Sequence, residues 1–356
     1  MTRPVRCPTR ASAASAMLRA LQGAMPCAVI RNADALFVGD FGDVDVVVPA
    51  SADLMEVIRL LEVAARRLGW PAYRRVSGAH TAHLGVLAPT PALDSGEPPV
   101  IWIDVFRGLV WRGIHYLNAD ALLARSIELR GGVQCLRPEA AALATLLHYA
   151  LYSQEVPVRY RSWLQDALPL SIDPRWCALL SVGEVQQVLD HARRGRWAAV
   201  RSWARVARRR LLVRSVRSSA LEMSRFIGVQ IARYVHAFFH PPGVLVVLEG
   251  PDPAAWMHGQ ALVHEVRRWH AFSVKDSLVA QPSLARMPRI WWTVLRGGLA
   301  ALPLGRGRNR LPASALSVLT RAPCLSAAQP DSVRGIVAAA ARAVGRATGV
   351  LADGRS

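Results

Sequence analysis

The sequence predicts an α/β protein of the α+β kind, in which a mixed sheet packs against helices. Short apolar runs with strand character, such as VDVVVPA at 44–50, alternate with segments of helical spacing, such as SADLMEVIRLLEVAARRLG at 51–69. The chain has 356 residues, which is long enough for two or three domains with cores of their own. Its hydrophobic fraction of 52% is typical of folded chains rather than disordered ones.

The helix at 51–69 is the clearest predicted element. It has Ser51 as an N-terminal cap, an apolar face at helical spacing and Gly69 at its end. The other helices of the first part are predicted at 13–22, 119–127 and 138–152. The strands are predicted at 26–32, 44–50, 72–78, 80–88 and 99–113, with a loop rich in proline and glycine at 89–99.

Composition and charge divide the chain into three predicted regions. Residues 1–155 mix strands with helices, and residues 156–240 form a helical region rich in arginine and tryptophan. Residues 241–356 begin again with a strand after the proline break in HPPGVLVVLEGPD. Residues 1–189 carry 18 basic and 17 acidic side chains, whereas residues 190–240 carry 12 and 2. The formal charge of +19 therefore arises almost entirely in the second half of the chain.

Cysteine spacing and hydropathy exclude some classes of protein. The five cysteines are dispersed and form no C-x-x-C pair, which predicts reduced thiols rather than a disulfide framework or a zinc site. We read no signal peptide, and arginine interrupts each long apolar run, as Arg296 does in IWWTVLRGGLAALPL. We therefore expect a cytoplasmic protein. Peripheral contact with the inner membrane is compatible with this location.

An unusual concentration of acidic residues precedes the strand at 44–50. Alternation along a strand places Asp43 and Asp45 on one face and Val44 on the other. Two neighbouring carboxylates repel each other unless a positive group lies between them, and Mg²⁺ or Mn²⁺ with oxygen ligands would supply that charge. Asp104, between apolar neighbours in IWIDVF, offers a third carboxylate on an adjacent strand. The alternative is that these aspartates cap strand ends and face solvent.

A resemblance to a known family extends over about residues 15–155. The order CAVIRN, GDFGDVDVVVP, PVIWIDVFRGLVWRGIHYL and LRPEAAALATLLHYALY is similar to the nucleotidyltransferase-like domain of bacterial surface-polysaccharide gene clusters. That domain belongs to the polymerase-β-type nucleotidyltransferase superfamily. The matching positions are Ile30-Arg31-Asn32, Gly42 to Val47, Ile103 to Phe106 and Trp111-Arg112-Gly113.

The resemblance implies a transferase that uses a metal ion and a nucleoside triphosphate. Asp43 and Asp45 would hold two Mg²⁺ ions on the triphosphate, and Asp104 would hold the catalytic metal and help to deprotonate an acceptor hydroxyl. The acceptor would be a sugar or a lipid-linked intermediate. The remaining nucleotide contacts are implied at Arg31, Asn32, Gly42 and Arg107. Active members of the superfamily carry Gly-Ser where this chain has Arg31-Asn32.

The segment GVLVVLEGPDPAAWMHGQALVHEV, 243–266, resembles the opening of a thymidylate-kinase-like domain. Gly250 to Asp252 match that family, but Pro253 then replaces a glycine and removes an amide donor. The lysine, serine and threonine positions of the phosphate-binding loop hold Trp256, Met257 and His258. We interpret this segment as a truncated, degenerate P-loop domain that does not transfer phosphoryl groups.

Arginine is interleaved with tryptophan and aliphatic residues between 191 and 233. Such a segment suits nucleic acid, an anionic membrane surface or an anionic polysaccharide intermediate. Without a nucleic-acid motif the first is disfavoured. The pattern favours a solvated helical linker whose arginine stems cover apolar surface, with membrane contact as the second interpretation.

Two hypotheses for function follow. The first is a metal-dependent nucleotidyltransferase-like protein of cell-surface polysaccharide metabolism, with a non-functional kinase-like tail. The second is a catalytically inactive scaffold that keeps both folds and acts by binding partners.

Overall fold

The computed structural model describes most of the chain. The described residues are 8–31, 33–38, 42–77, 80–89, 100–111, 114–218, 224, 227–228, 231, 235, 243–249, 254–269, 277–280, 284–295, 298–304, 324–328 and 333–347.

Strands and helices alternate along this part of the chain. The strands are β1 (Ala28–Val29), β2 (Asp43–Val48), β3 (Ala72–Ser77), β4 (Thr81–Leu87), β5 (Val100–Arg107), β6 (Leu109–Trp111), β7 (Ile114–Leu117), β8 (Ile127–Arg130), β9 (Val133–Leu136), β10 (Val244–Glu249), β11 (Leu278–Val279), β12 (Leu299–Leu304) and β13 (Cys324–Ala328). The helices are α1 (Arg10–Ala24), α2 (Ala33–Val38), α3 (Leu54–Arg67), α4 (Ala119–Arg125), α5 (Pro138–Ser153), α6 (Val158–Ala167), α7 (Val182–Arg193), α8 (Trp197–Ser218), α9 (Ala254–Trp269), α10 (Met287–Leu295) and α11 (Val333–Ala347). The predicted α/β class is confirmed.

A mixed seven-stranded sheet forms the centre of the first part, in the order β3-β4-β5-β2-β1-β9-β8. β2 pairs in parallel with β5, and β1 pairs in parallel with β9, whereas the other neighbours are antiparallel. The predicted pairing of the strands at 72–78 and 80–88 is confirmed. The strand that carries Asp104 lies directly beside the strand that carries Asp43 and Asp45.

One face of this sheet is covered by α1 and α3. Val44 and Val46 of β2 point into this layer, where they pack with apolar side chains of both helices. α3 begins at Leu54, and the Asp53 side chain accepts a hydrogen bond from the Met55 amide at 2.9 Å. The prediction of Ser51 as its cap was wrong, because the chain enters the helix two residues later. The closing glycine is confirmed, since Gly69 has a φ of +75°.

The other face of the sheet is partly covered by helices α5 to α8. α5 confirms the helix predicted at 138–152, and its residues Ala140 to Leu147 are all buried because neighbours pack on several sides. Val47 of β2 shares a core with residues of these helices, including Leu164 of α6 and Leu211 of α8. This core therefore runs across residue 155, where we predicted a boundary between regions.

Several predicted elements differ in extent or were missed. The strand predicted at 99–113 divides after Arg107, because Gly108 adopts a φ of +70° and turns the chain into the β6–β7 hairpin. The strand predicted at 26–32 is only two residues long. Sequence reasoning missed α2 and the β8–β9 hairpin, whose turn holds Gly131 and Gly132, both at positive φ.

A separate four-stranded sheet, in the order β11-β12-β10-β13, forms the last part of the described chain. All of its strand pairs are parallel, which suits the continuous apolar run VLVVL of β10. The predicted succession of strand and helix after residue 243 is confirmed by β10 and α9. The inner sides of α9 and α11 pack in one core with Tyr73, Leu87 and Val100 of the first sheet.

Candidate functional site

Two of the three predicted acidic residues lie in one row across the first sheet, and Asp43 precedes this row by two residues on the same face of β2. Asp45 of β2 is the register partner of Asp104 on β5, and His83 of β4 is the register partner of Asp104 on its other side. The neighbouring residues Val44 and Ile103 point into the layer with α1 and α3. Because side chains alternate along a strand, the acidic row points to the opposite face, towards α5 and α6.

The three carboxylates form a compact cluster. Asp43, Asp45 and Asp104 each offer one oxygen, and these oxygens lie within 4.8 Å of one another. Asp45 is only 1% exposed, and its Oδ1 atom is buried without a hydrogen-bond partner. A buried carboxylate oxygen without a partner is costly, and carboxylate oxygens are the ligands that Mg²⁺ and Mn²⁺ prefer. The donor set therefore fits a hard divalent cation.

Asp45 already has one cationic neighbour. The Nε atom of Arg31 donates a hydrogen bond to Asp45 Oδ2 at 2.5 Å, and the two side chains are 11% and 2% exposed. Burial disfavours the charged guanidinium, but Asp45, Tyr149 and Asp43 more than offset this and raise the pKa of Arg31. Arg31 therefore neutralises part of the charge of the carboxylate cluster.

The surroundings of Asp45 make its ionisation harder than that of an ordinary aspartate. Burial raises the pKa of Asp45 to about 7, with Arg31 opposing the rise and Asp43 and Asp104 adding to it. A bound divalent cation would act in the opposite direction, because it favours the ionised carboxylate.

The pKa of Asp104 is shifted in the opposite direction. Burial alone would raise the pKa of Asp104, but the charge of His83 and hydrogen bonds from His83 and Trp102 hold it below its ordinary value. His83 Nδ1 lies 2.7 Å from Asp104 Oδ1, and because an ionised carboxylate only accepts, Nδ1 is the donor. The His83 ring stacks on Trp102 at 6.1 Å between centroids. The surroundings thus push the pKa values of Asp45 and Asp104 apart.

Two tyrosines flank the guanidinium of Arg31 on its other side. Its Cζ atom lies 5.1 Å from the ring centroid of Tyr149 on α5 and 6.0 Å from that of Tyr160 on α6. The two rings are 5.3 Å apart. Burial raises the pKa of Tyr149 to about 12, although Arg31 opposes the shift. Arg31 is therefore held between a carboxylate and an aromatic pair.

A small cavity lies between the sheet and α5. It is lined by Ile30, Arg31, Asp45, Phe106, Leu109, Tyr116, Ala144, Thr145 and His148. Its volume of about 10 Å³ is room for roughly one water molecule or one small cation. Thr145 Oγ1, like Asp45 Oδ1, is buried without a hydrogen-bond partner. A nucleotide would have to contact the carboxylates from outside this cavity, since ligand sites of that class need several hundred Å³.

Arg10 is a site-supporting residue that sequence reasoning missed. Its side chain is 1% exposed and donates hydrogen bonds to the carbonyl of Val100 at 2.9 Å and to the carbonyl of Gly42 at 3.2 Å. These carbonyls lie at the beginnings of β5 and β2, the two strands that carry the carboxylates. Arg10 thus ties the two strands together, and no local sequence pattern marks an arginine for this contact.

The other predicted site residues have different positions. Gly42 immediately precedes Asp43 and receives the Arg10 contact. Alternation along β5 places Arg107 on the face opposite Asp104, where its charge acts on His80 and contributes, after burial, to lowering the pKa of His80 to about 4. The structure therefore does not bring Arg107 to the carboxylate cluster. Asn32 lies outside the described residues, as do Arg112 and Gly113.

The kinase-like segment is only partly described. Gly250 to Pro253 lie outside the described residues. Trp256, Met257 and His258, which stand at the lysine, serine and threonine positions, belong to the first turns of α9. Met257 is 68% exposed. The described residues at these positions supply neither an ammonium group nor a hydroxyl for phosphate or Mg²⁺.

Comparison of the chain with protein-family models, with curated proteins and with solved structures finds no significant match. None of the helices in the described part of the chain combines the length and the apolar character that a bilayer crossing requires.

Proposed function

We propose that the chain is a metal-dependent nucleotidyltransferase-like protein of cell-surface polysaccharide metabolism, with a degenerate kinase-like tail that does not transfer phosphoryl groups. The observation that carries this proposal is the carboxylate cluster, in which Asp43, Asp45 and Asp104 offer oxygens within 4.8 Å of one another. The buried, unpartnered Oδ1 atom of Asp45 supports a cation at this place.

The residues of the cluster would hold Mg²⁺ or Mn²⁺. Such a cation, when bound, neutralises phosphate charge and polarises the reacting phosphoryl group. Asp104 is kept ionised by its contact with His83, which suits a ligand of the cation. Its lowered pKa makes it a weak base, so its help in deprotonating an acceptor hydroxyl would depend on the bound cation. Arg31 supplies a guanidinium beside the cluster, which suits phosphate oxygens of a nucleoside triphosphate.

The substrate class in this proposal comes from the resemblance to the nucleotidyltransferase-like family. It consists of a nucleoside triphosphate as donor and a sugar or lipid-linked intermediate as acceptor. The cytoplasm, where nucleoside triphosphates are made, is the compartment that this chemistry requires.

A second candidate function is a catalytically inactive scaffold. The observation that favours it is the ion pair of Arg31 and Asp45, which places a built-in cation where a metal would bind. The Arg31-Asn32 pair in place of Gly-Ser supports the same alternative, because it removes the small residues that bring backbone amides to the phosphates.

Thermal unfolding with MgCl₂ or MnCl₂, with and without each nucleoside triphosphate, separates the two functions. We expect the wild type to be stabilised, by about 2.7 kcal/mol at a metal concentration 100 times the dissociation constant. We expect Asp45→Asn and Asp104→Asn to lose most of this response, because each removes a negatively charged oxygen ligand. Release of pyrophosphate in the presence of an acceptor measures the transfer itself.

Asp166→Asn is the matched control, since Asp166 is an exposed aspartate of α6 that does not belong to the carboxylate cluster. It should keep the wild-type response to metal. If neither metal and no nucleotide changes the unfolding temperature of the wild type, the result favours the scaffold and contradicts the enzyme proposal.

A further inference from the structure

Helix α8 buries one side and exposes aliphatic side chains on the other. Trp203, Ala207 and Leu211, spaced by four residues, are buried against the neighbouring helices. Three valines on the outer side are exposed: Val206 by 49%, Val213 by 54% and Val216 by 66%. At 100° per residue, these valines lie at roughly 100° to 180° from Ala207 around the helix. We call Val206, Val213 and Val216 the valine row.

The same kind of exposure recurs further along the chain. Ile227, Ile231 and Val235 are helical residues with exposures of 50%, 59% and 52%, and they are spaced by four. Leu129 and Leu170 are also exposed, but within the described residues no other exposed large apolar side chain lies three or four positions away from either of them. Grouped exposure of this kind marks an interaction surface, whereas single residues do not.

Within the described residues, some arginines of α8 bind other groups of the fold, whereas others do not. Arg208 donates to the carbonyls of Leu151 and Tyr152, and Arg210 and Arg214 bind Glu184, so these three stabilise the fold. Arg205 and Arg209 are exposed and form no ion pair within the described residues. These two lie beside the valine row in the helical sequence. Residues 191–221 contain no aspartate or glutamate at all.

We propose that the outer face of α8 lies on an anionic lipid surface, with the valine row in the interface and Arg205 and Arg209 at the phosphate groups. Exposed aliphatic side chains can enter the boundary between headgroups and acyl chains, while neighbouring arginines pair with anionic lipid phosphates. The arginine stems add apolar area while their guanidinium groups stay in the headgroup layer. This surface is independent of the carboxylate cluster, so either proposal can fail without the other.

The composition of the face argues against other occupants. Binding sites for single-stranded nucleic acid present aromatic rings on which bases stack, and the valine row contains no aromatic residue. Protein interfaces are enriched in aromatic residues and methionine at their centres, whereas the exposed large apolar side chains of α8 are the valine row and Leu212, which is 40% exposed. The positive charges of Arg205 and Arg209 favour an anionic bilayer as the partner of this face.

Co-sedimentation of the full chain with vesicles tests the proposal. We expect binding to vesicles of phosphatidylcholine with one quarter phosphatidylglycerol, weaker binding at 0.5 M salt, and little binding to pure phosphatidylcholine. The double variant Arg205→Gln, Arg209→Gln should bind roughly 25-fold more weakly, because each charge near the surface is worth about fivefold. The triple variant Val206→Ser, Val213→Ser, Val216→Ser should lose at least tenfold.

Leu129→Ser with Leu170→Ser is the matched control, since these side chains are 71% and 74% exposed but isolated. It should bind vesicles as the wild type does, and thermal unfolding should show that all the variants fold. Three outcomes would overturn the proposal. They are equal binding to neutral and anionic vesicles, binding unaffected by the valine substitutions, and light scattering that shows dimers abolished by the triple variant without any vesicle binding.

Discussion

At the scale of single residues, Arg31 determines the state of the carboxylate cluster. A buried carboxylate beside two others is unfavourable, and the guanidinium of Arg31 compensates through its hydrogen bond to Asp45. The tyrosine rings of Tyr149 and Tyr160 keep the guanidinium in place. If a divalent cation binds the same cluster, the cation and the arginine compete for the charge of Asp45.

This competition predicts the behaviour of Arg31→Met. Without metal, we expect the variant to lose about 3 to 5 kcal/mol of stability, because Asp45 then remains buried without its partner. With MnCl₂, we expect the variant to gain more stability than the wild type does, because the competing guanidinium is gone. Chemical denaturation at several MnCl₂ concentrations measures both effects.

Arg159→Met is the control for this experiment. Arg159 also lies over Tyr160, at 4.9 Å, but it forms no ion pair with a carboxylate in the described part of the chain. Its substitution should leave the response to MnCl₂ unchanged. Equal metal stabilisation of Arg31→Met and the wild type would show that arginine and metal do not compete.

At the scale of elements, Glu184 joins α7 to α8. It accepts a hydrogen bond from the Ser181 amide in a capping box at the start of α7, and it pairs with Arg210 and Arg214 of α8. Burial would raise the pKa of Glu184, but hydrogen bonds from Arg214, Ser181 and Arg210 lower it to about 2. A pKa below the ordinary value of 4.5 means that folding favours the ionised form.

The pH dependence of stability follows from this shift. The contribution of Glu184 is present above about pH 4.5, where the unfolded side chain is also ionised, and is lost as the pH falls towards 2. We expect Glu184→Gln to cost about 2 kcal/mol at pH 7, since its arginine partners are partly exposed. Urea unfolding between pH 7 and pH 3 should show a smaller loss of stability in the variant than in the wild type.

Glu139→Gln is the control, because Glu139 lies in the first turn of α5 and forms no ion pair within the described residues. Its curve of stability against pH should follow the wild type. A Glu184→Gln protein that loses stability in acid as steeply as the wild type would show that these ion pairs do not tie the two helices together.

The strands show which elements the sequence can predict. β2 and β5 were predicted because their apolar residues alternate with aspartate. This pattern is local and does not depend on how the strands pack in the fold. The β8–β9 hairpin had a usable signal, since Gly131-Gly132 separates two short apolar runs. The division of the long strand also had a local signal, because an isolated glycine such as Gly108 inside a strand pattern suggests a bend. The pairing of β6 with β7 after this bend was not predicted.

At the scale of the whole molecule, one apolar core connects the two sheets. Tyr73 of β3 is fully buried and shares this core with Val244 of β10 and Val337 of α11. We predicted the regions at 1–155 and 241–356 as separate domains, and the apolar contact between them means that the stability of each depends on the other.

We expect Tyr73→Ala to weaken the last helix as well as the first sheet. The substitution should cost about 3 to 5 kcal/mol, because it leaves a large cavity in the shared core. Hydrogen exchange measured by mass spectrometry should then be faster in α11 than in the wild type. Tyr116→Ala removes an equally buried ring from the core under α5 to α8, so it should not selectively affect α11. Unchanged exchange in α11 of the Tyr73→Ala protein would show that the two sheets are energetically independent.

The sequence by itself determined that a strand carrying Asp43 and Asp45 exists and that Asp104 lies on another apolar strand, because alternation and apolar runs are local properties. Only the tertiary structure decided that Arg31 binds Asp45, that His83 binds Asp104 and that Arg10 ties Val100 to Gly42. These contacts join residues 14, 21 and up to 90 positions apart. They depend on how the strands are ordered and which side chains meet between them, and no local pattern records that arrangement.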